Sequence, residues 1–137
     1  MDAEKTLTFA LMDAPFESAR TTTAMRLIDA AIRAGHPTNV FAYEGAVGLS
    51  FARQAAHANA VHGHDVEQEN HPLPRQWIAA LQEMAAAKGV ALDWVNCGLC
   101  VDERGVGEAI AGVRRGTPAD FWNLALATHN CLIIGTR

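Results

Sequence analysis

Apolar positions along the chain fall into short runs separated by turn residues, and the runs alternate between strand-like and helix-like spacing. Leu7-Thr8-Phe9-Ala10-Leu11-Met12 is a short apolar run closed by Asp13-Ala14-Pro15, which predicts a buried strand entering a turn. From Ser18, a residue type suited to cap a helix, Ala24, Leu27, Ile28, Ala31 and Ile32 form one stripe, and Gly35 stands where a left-handed C-terminal cap is wanted. Asn39-Val40-Phe41-Ala42-Tyr43 then has the β-branched and aromatic content of a second strand. A β-α-β opening implies a parallel pair.

Gly45 to Pro74 is less regular: a small-residue stretch, then His57, His62, His64 and His71 among acidic residues and Asn, then Pro72-Leu73-Pro74. This segment predicts a weak helix and a mobile loop. Gln76 to Lys88 is rich in alanine, with Trp77, Ile78, Leu81, Met84 and Ala85 at helical spacing and Gly89 closing it. Val90 to Val95 predicts a third strand, which delivers the chain to Asn96-Cys97-Gly98-Leu99-Cys100. Thr117 caps a last helix with Pro118 at its first position and Asp120 able to answer the cap; Phe121 to Thr128 continues it, and Asn130 to Ile134 is a final buried strand. The whole predicts one α/β domain over residues 1–137, an open, mostly parallel β-sheet of four or five strands with helices on both faces, in a flavodoxin/Rossmann-like topology.

Composition narrows the function classes. Of 137 residues, 50% are hydrophobic and 19% charged, against an average charged fraction of about 25%. A real core is therefore available without disulfides, and disorder is excluded. Lys+Arg 11 against Asp+Glu 15 leaves a net charge of -4, which lacks the basic excess that phosphate-backbone binding needs, so no direct nucleic-acid partner is expected. Apolar runs stay far below the roughly 18 residues of a membrane span. The start, Met1-Asp2-Ala3-Glu4-Lys5, lacks the basic character of a secretory signal, and a cytoplasmic protein is expected. Three cysteines in a reducing compartment are kept for reactivity, metal binding or plain packing.

Cys97 and Cys100 form a C-x-x-C at a strand end, where backbone N-H groups of a following helix would stabilise a thiolate. Arg104 lies two turns beyond Cys97 on a similar helix face and is a candidate helper. The competing reading is that both thiols are simply small buried residues. Zinc needs four ligands, and the motif supplies two. Completing the set from His57, His62, His64 or His71 means long, irregular spacing with no second paired motif, so no metal is expected. Cys131 sits inside an apolar strand and reads as core, while its neighbour His129 has no visible partner in the sequence. Asp13-Ala14-Pro15-Phe16-Glu17-Ser18 lacks any Gly-rich phosphate loop, and neither Ser18 nor Ser50 sits in a G-x-S-x-G elbow. Thiol chemistry is what remains.

The order of these segments resembles the DsrE/DsrF/TusD-like sulfur-relay family. The resemblance is carried by Ala24 to His36 ending in Ala-Gly-His, by Val40-Phe41-Ala42-Tyr43-Glu44-Gly45-Ala46-Val47, and by Gly89-Val90-Ala91-Leu92 leading to Cys97 eight residues before Gly105. It extends to the capped helix and Cys-containing strand at the C-terminus, and covers most of the chain except the His-rich segment. The resemblance implies a sulfurtransferase without metal or organic cofactor, with Cys97 accepting a sulfane sulfur as a persulfide and surrendering it to an acceptor protein thiol. Tyr43 and Arg104, within the matching motifs, are the implied substrate-binding residues. It also implies a trimer or hexamer, homomeric or mixed with paralogous subunits. The implied partners are TusA-like carriers and proteins bearing a C-terminal cysteine, with no membrane involved.

Cys100 is extra relative to the family's single cysteine, and the segment from His57 to Pro74 is longer. Cys100 is therefore a second candidate catalytic residue, able either to close a disulfide with Cys97 or to protect it from over-oxidation. Two other readings stay open: a thioredoxin-like dithiol oxidoreductase using Cys97 and Cys100, and a non-catalytic subunit that completes a hetero-oligomer.

Overall fold

Each apolar run of the sequence becomes a parallel strand, because runs this short can bury both sheet faces only when helices cover them. The computed structural model describes residues 4–56, 58, 63–69 and 72–136. Strands Leu7–Leu11 (β1), Thr38–Ala42 (β2), Leu92–Cys97 (β3), Val113–Gly116 (β4) and Asn130–Ile134 (β5) form one sheet in the order β4-β3-β2-β1-β5. All neighbouring strands run parallel. The chain winds outward from β1 to β4 and then crosses back to place β5 on the other side of β1, the single reversal of a doubly wound fold.

The connections are helices α1 (Ala19–Arg33), α2 (Val66–Glu69), α3 (Pro74–Lys88), α4 (Gly98–Arg104) and α5 (Pro118–Leu126), with a 3₁₀ helix over Glu44–Ser50. Their ends follow the sequence signals. The Ser18 hydroxyl accepts from the Arg20 N-H at 3.2 Å, and Gly35 and Gly89 take positive φ of 86° and 67° just past α1 and α3.

Alternation along the strands sorts the core into two layers. Phe9, Leu11, Val40, Ala42 and Trp94 pack against Met25, Ile28 and Ile32 of α1 and Ile78 and Leu81 of α3. Phe41, Val95 and Cys97 form the second layer with Val47 of the 3₁₀ helix and Cys100 and Val101 of α4, and Phe121 and Leu124 of α5 lie against it. Helices thus cover both faces, as predicted.

One strand departs from the sequence reading: β4, Val-Arg-Arg-Gly, was not located, since it carries one apolar residue and no alternation. The small-residue stretch after Tyr43, where a weak helix was expected, is the 3₁₀ helix, with Ala46, Val47, Leu49 and Ser50 buried. Gln54 clamps it: its Nε2 donates to the carbonyls of Gly48 and Leu49 at 2.6 and 2.7 Å, and its Oε1 accepts from the Arg75 N-H at 3.0 Å. Glycine is needed at Gly45, where a Cβ would stand 2.8 Å from that of Ala14. His57, His62 and His71 lie outside the described residues. Among the described residues no helix is long and apolar enough to cross a membrane.

Candidate thiol site at the end of the third strand

Cys97 is the last residue of β3 and the N-cap of α4. That is the carboxyl end of a parallel strand, where functional groups of such sheets gather. Cys100 follows as the third residue of α4. The sequence expectation of a thiolate stabilised by backbone N-H groups of the following helix needs correction, and the burial named in the competing reading is what the structure shows. Cys97 is only 4% exposed, and its side chain makes no capping hydrogen bond to α4. Val47, Val95, Val101 and Phe41 close over it in the second core layer, with Tyr43 and Phe121 against them.

Cys100 is 8% exposed and is held by a named partner, the Glu44 N-H, which donates to its Sγ at 3.2 Å. Burial raises the Cys100 thiol pKa, and the adjoining Cys97 raises it further by hydrogen bond and charge, while the Glu44 N-H pulls it down. Glu44 adopts a left-handed φ of 51° at the turn from β2 into the 3₁₀ helix. Its carboxylate pairs with Arg104 at the far end of α4. Arg104 therefore faces Glu44 and Glu103, not the cysteines, and reaches the site only through Glu44. Tyr43 does join the cluster: it stacks on Phe41 with centroids 5.7 Å apart, and Phe41 stacks on Phe121 at 5.3 Å. Burial, then the Glu44 charge, raises the Tyr43 phenol pKa.

The cation beside the thiols is Arg115, which the sequence reading missed. Register aligns Asn96 with Arg115 and Cys97 with Gly116. The Arg115 Nη2 donates to the Gly98 carbonyl at 3.1 Å and pairs with Asp102 at 2.9 Å. Its guanidinium lies so close over Gly98 that a Cβ there would meet Nη2 at 2.9 Å. Asp102 holds the Arg115 pKa up, and the Cys97 charge adds to this. The only sequence clue was the Arg114-Arg115 pair itself, in a segment without strand periodicity. Next to this face an open cleft of about 490 Å³ is lined by Asn96, Asp102, Glu108, Arg114 and Arg115, among others. Asn96 is buried there, donating from Nδ2 to the Ser50 hydroxyl at 2.8 Å.

The remaining candidates are dispersed. Cys131 is half-buried in β5, with its thiol pKa raised by burial. His129 does have a partner: its Nδ1 accepts from the Thr6 N-H at 3.1 Å, fastening β5 to the start of β1. Among the described residues no group of three or more His, Cys, Asp or Glu is arranged to hold a metal ion.

Comparison with known proteins agrees with this geometry. The sequence matches the DsrE/DsrF-like family over residues 5–132. Among matching solved structures is that of the ychN protein from E. coli, with a TM-score of 0.67 at 20% identity, covering 94% of this chain and 98% of that one. At that identity the likeness shows the fold. No curated protein matches the chain.

Proposed function

The chain belongs to the DsrE/DsrF-like family, and on that premise we propose that it is a sulfur-relay protein carrying sulfane sulfur as a persulfide on Cys97. The observation that carries the reading is where Cys97 stands. It ends a central parallel strand, inside the family match, with a second thiol, a tyrosine and a guanidinium assembled around it. In the uptake step the Cys97 thiolate attacks the outer sulfur of a donor persulfide, and the donor leaves as its thiolate. In the delivery step an acceptor protein thiolate attacks the sulfur now bound to Cys97, which departs as thiolate in turn. No cofactor enters either step.

Burial fits a carrier that must not lose its cargo. A persulfide packed among Phe41, Val101 and Tyr43 is shielded from bulk water and oxidants, and exchange requires the site to open locally. The partners proposed for exchange are proteins: a TusA-like carrier or one with a C-terminal cysteine. Assembly into a homo-oligomer, trimer or hexamer, or with paralogous subunits, and a cytoplasmic setting belong to the same proposal.

Treating the protein with a small persulfide donor and weighing it intact tests the reading. With Cys100→Ser in place, so that no second thiol of the motif can displace the cargo, the protein should take up sulfur, and adding Cys97→Ser should abolish the uptake. Equal uptake by the double variant overturns it.

A further inference from the structure

The carrier reading leaves Cys100 without a task. Cys97 and Cys100 occupy the N-cap and third positions of α4, whose side chains face one another in a helix start. The same relation recurs in α5, where the side chains of Thr117 and Asp120 meet at 3.1 Å. At α4 the two thiols lie in the same buried cluster, three residues apart on the first turn. Burial raises the Cys100 pKa overall, and the Glu44 N-H at 3.2 Å is the donor that offsets part of this and favours its anion.

Access then decides between acceptors. An outside thiol has to open a site in which both cysteines are at least nine-tenths buried, whereas Cys100 is already inside. Neighbouring groups in one molecule react as if present at concentrations of roughly 10⁵ M or more when well oriented, far above any partner protein.

Building on the Cys97 carrier reading, we infer a further activity: Cys100 resolves the Cys97 persulfide, so that the chain releases sulfide whenever no acceptor has opened the site. The Cys100 thiolate, its proton given to solvent, attacks the Cys97 Sγ. A Cys97–Cys100 disulfide forms as the bond from Sγ to the outer sulfur breaks, and that sulfur leaves as hydrosulfide with the electron pair. The outer sulfur gains two electrons, and the two cysteine sulfurs together lose two. A dithiol reductant, small or protein-borne, returns the pair to thiols by exchange.

The test uses protein carrying Cys131→Ser, so that Cys97 and Cys100 are the only thiols. It is treated with a small organic persulfide bearing heavy sulfur at its outer atom, the donor is removed, and intact mass and trapped sulfide are read together. The expected result is loss of two hydrogens with one labelled sulfide released per chain. Adding Cys100→Ser, or Cys100→Ala as a second check on folding, should give a stable gain of one labelled sulfur and no sulfide. If the Cys131→Ser protein keeps its added sulfur as those variants do, the resolving step is wrong and the carrier reading stands. A disulfide formed without labelled sulfide also overturns the resolving step, in favour of simple dithiol oxidation. If folded Cys100→Ser protein takes up no sulfur, the carrier reading itself fails and the resolving step falls with it.

Discussion

At Cys97 two demands oppose each other: a carrier thiol must meet its donor, yet this side chain is enclosed by the second core layer. The nearby surface cation is Arg115, lying over Gly98, and the Cys97 charge is a minor cause of its raised pKa. Because Arg115 is exposed and shared with Asp102, its effect on reactivity is modest. Arg115→Met is expected to slow sulfur uptake by Cys97 roughly two- to fivefold, the scale of exposed charge interactions. Arg114→Met, which breaks the pair with Asp93 and weakens an attraction to Asp120, should leave uptake unchanged in a parallel stopped-flow measurement. Cys100 gives a pH signature. Its thiol is held neutral by burial in the folded chain, so the unfolded chain ionises first as pH rises. The stability this contributes is complete below 9.0, the ordinary thiol value, and is lost as pH climbs through the raised folded-state value. Denaturation midpoints should therefore decline as pH rises from 9.0 toward that folded-state value, and Cys100→Ala should flatten the decline. Cys131 and Tyr43 shift the same way and leave a residual slope.

Among the elements, β4 and α5 depend on one glycine. Gly116 ends β4 beside Cys97, and a Cβ there would stand 2.5 Å from Val95 Cγ1 and 2.8 Å from Asp120 Oδ2. That carboxylate oxygen accepts from the Thr117 N-H at 2.7 Å and so starts α5. Gly116→Ala is expected to cost about 1–3 kcal/mol by overpacking, read as a lowered thermal midpoint, and to disturb the cysteine layer with it. The helices α1 and α3 were legible in the sequence because cap, stripe and terminal glycine all agreed, as at Ser18, Ile28 and Gly35. β4 was not, because Arg114 and Arg115 show no alternation, and its place in the sheet comes from hydrogen bonding to β3. The stretch Glu44–Ser50 was half-legible: its small residues were visible, but its burial depends on Gln54 and on the close passage of Ala14.

Across the whole molecule, the least finished surface lies on α5. This helix has no fully buried residue, and Trp122 and Leu126, at i, i+4 spacing, are 65% and 69% exposed. Large apolar side chains paired in the open mark contact surfaces between proteins, which suits the proposed oligomer. Trp122→Glu is expected to shift the protein toward monomer in sedimentation velocity; an unchanged sedimentation coefficient would place the subunit contact elsewhere. The sequence by itself determined the β/α succession, the parallel sheet and the presence of a cysteine pair at a strand end. Those follow from periodicity and capping, which act within a few residues along the chain. Only the tertiary structure decided that Arg115 rather than Arg104 borders Cys97, that Glu44 holds Cys100, and that both thiols are enclosed. Those depend on strand register and on packing between segments far apart in the chain, where contact is set by the sheet and no local pattern records it.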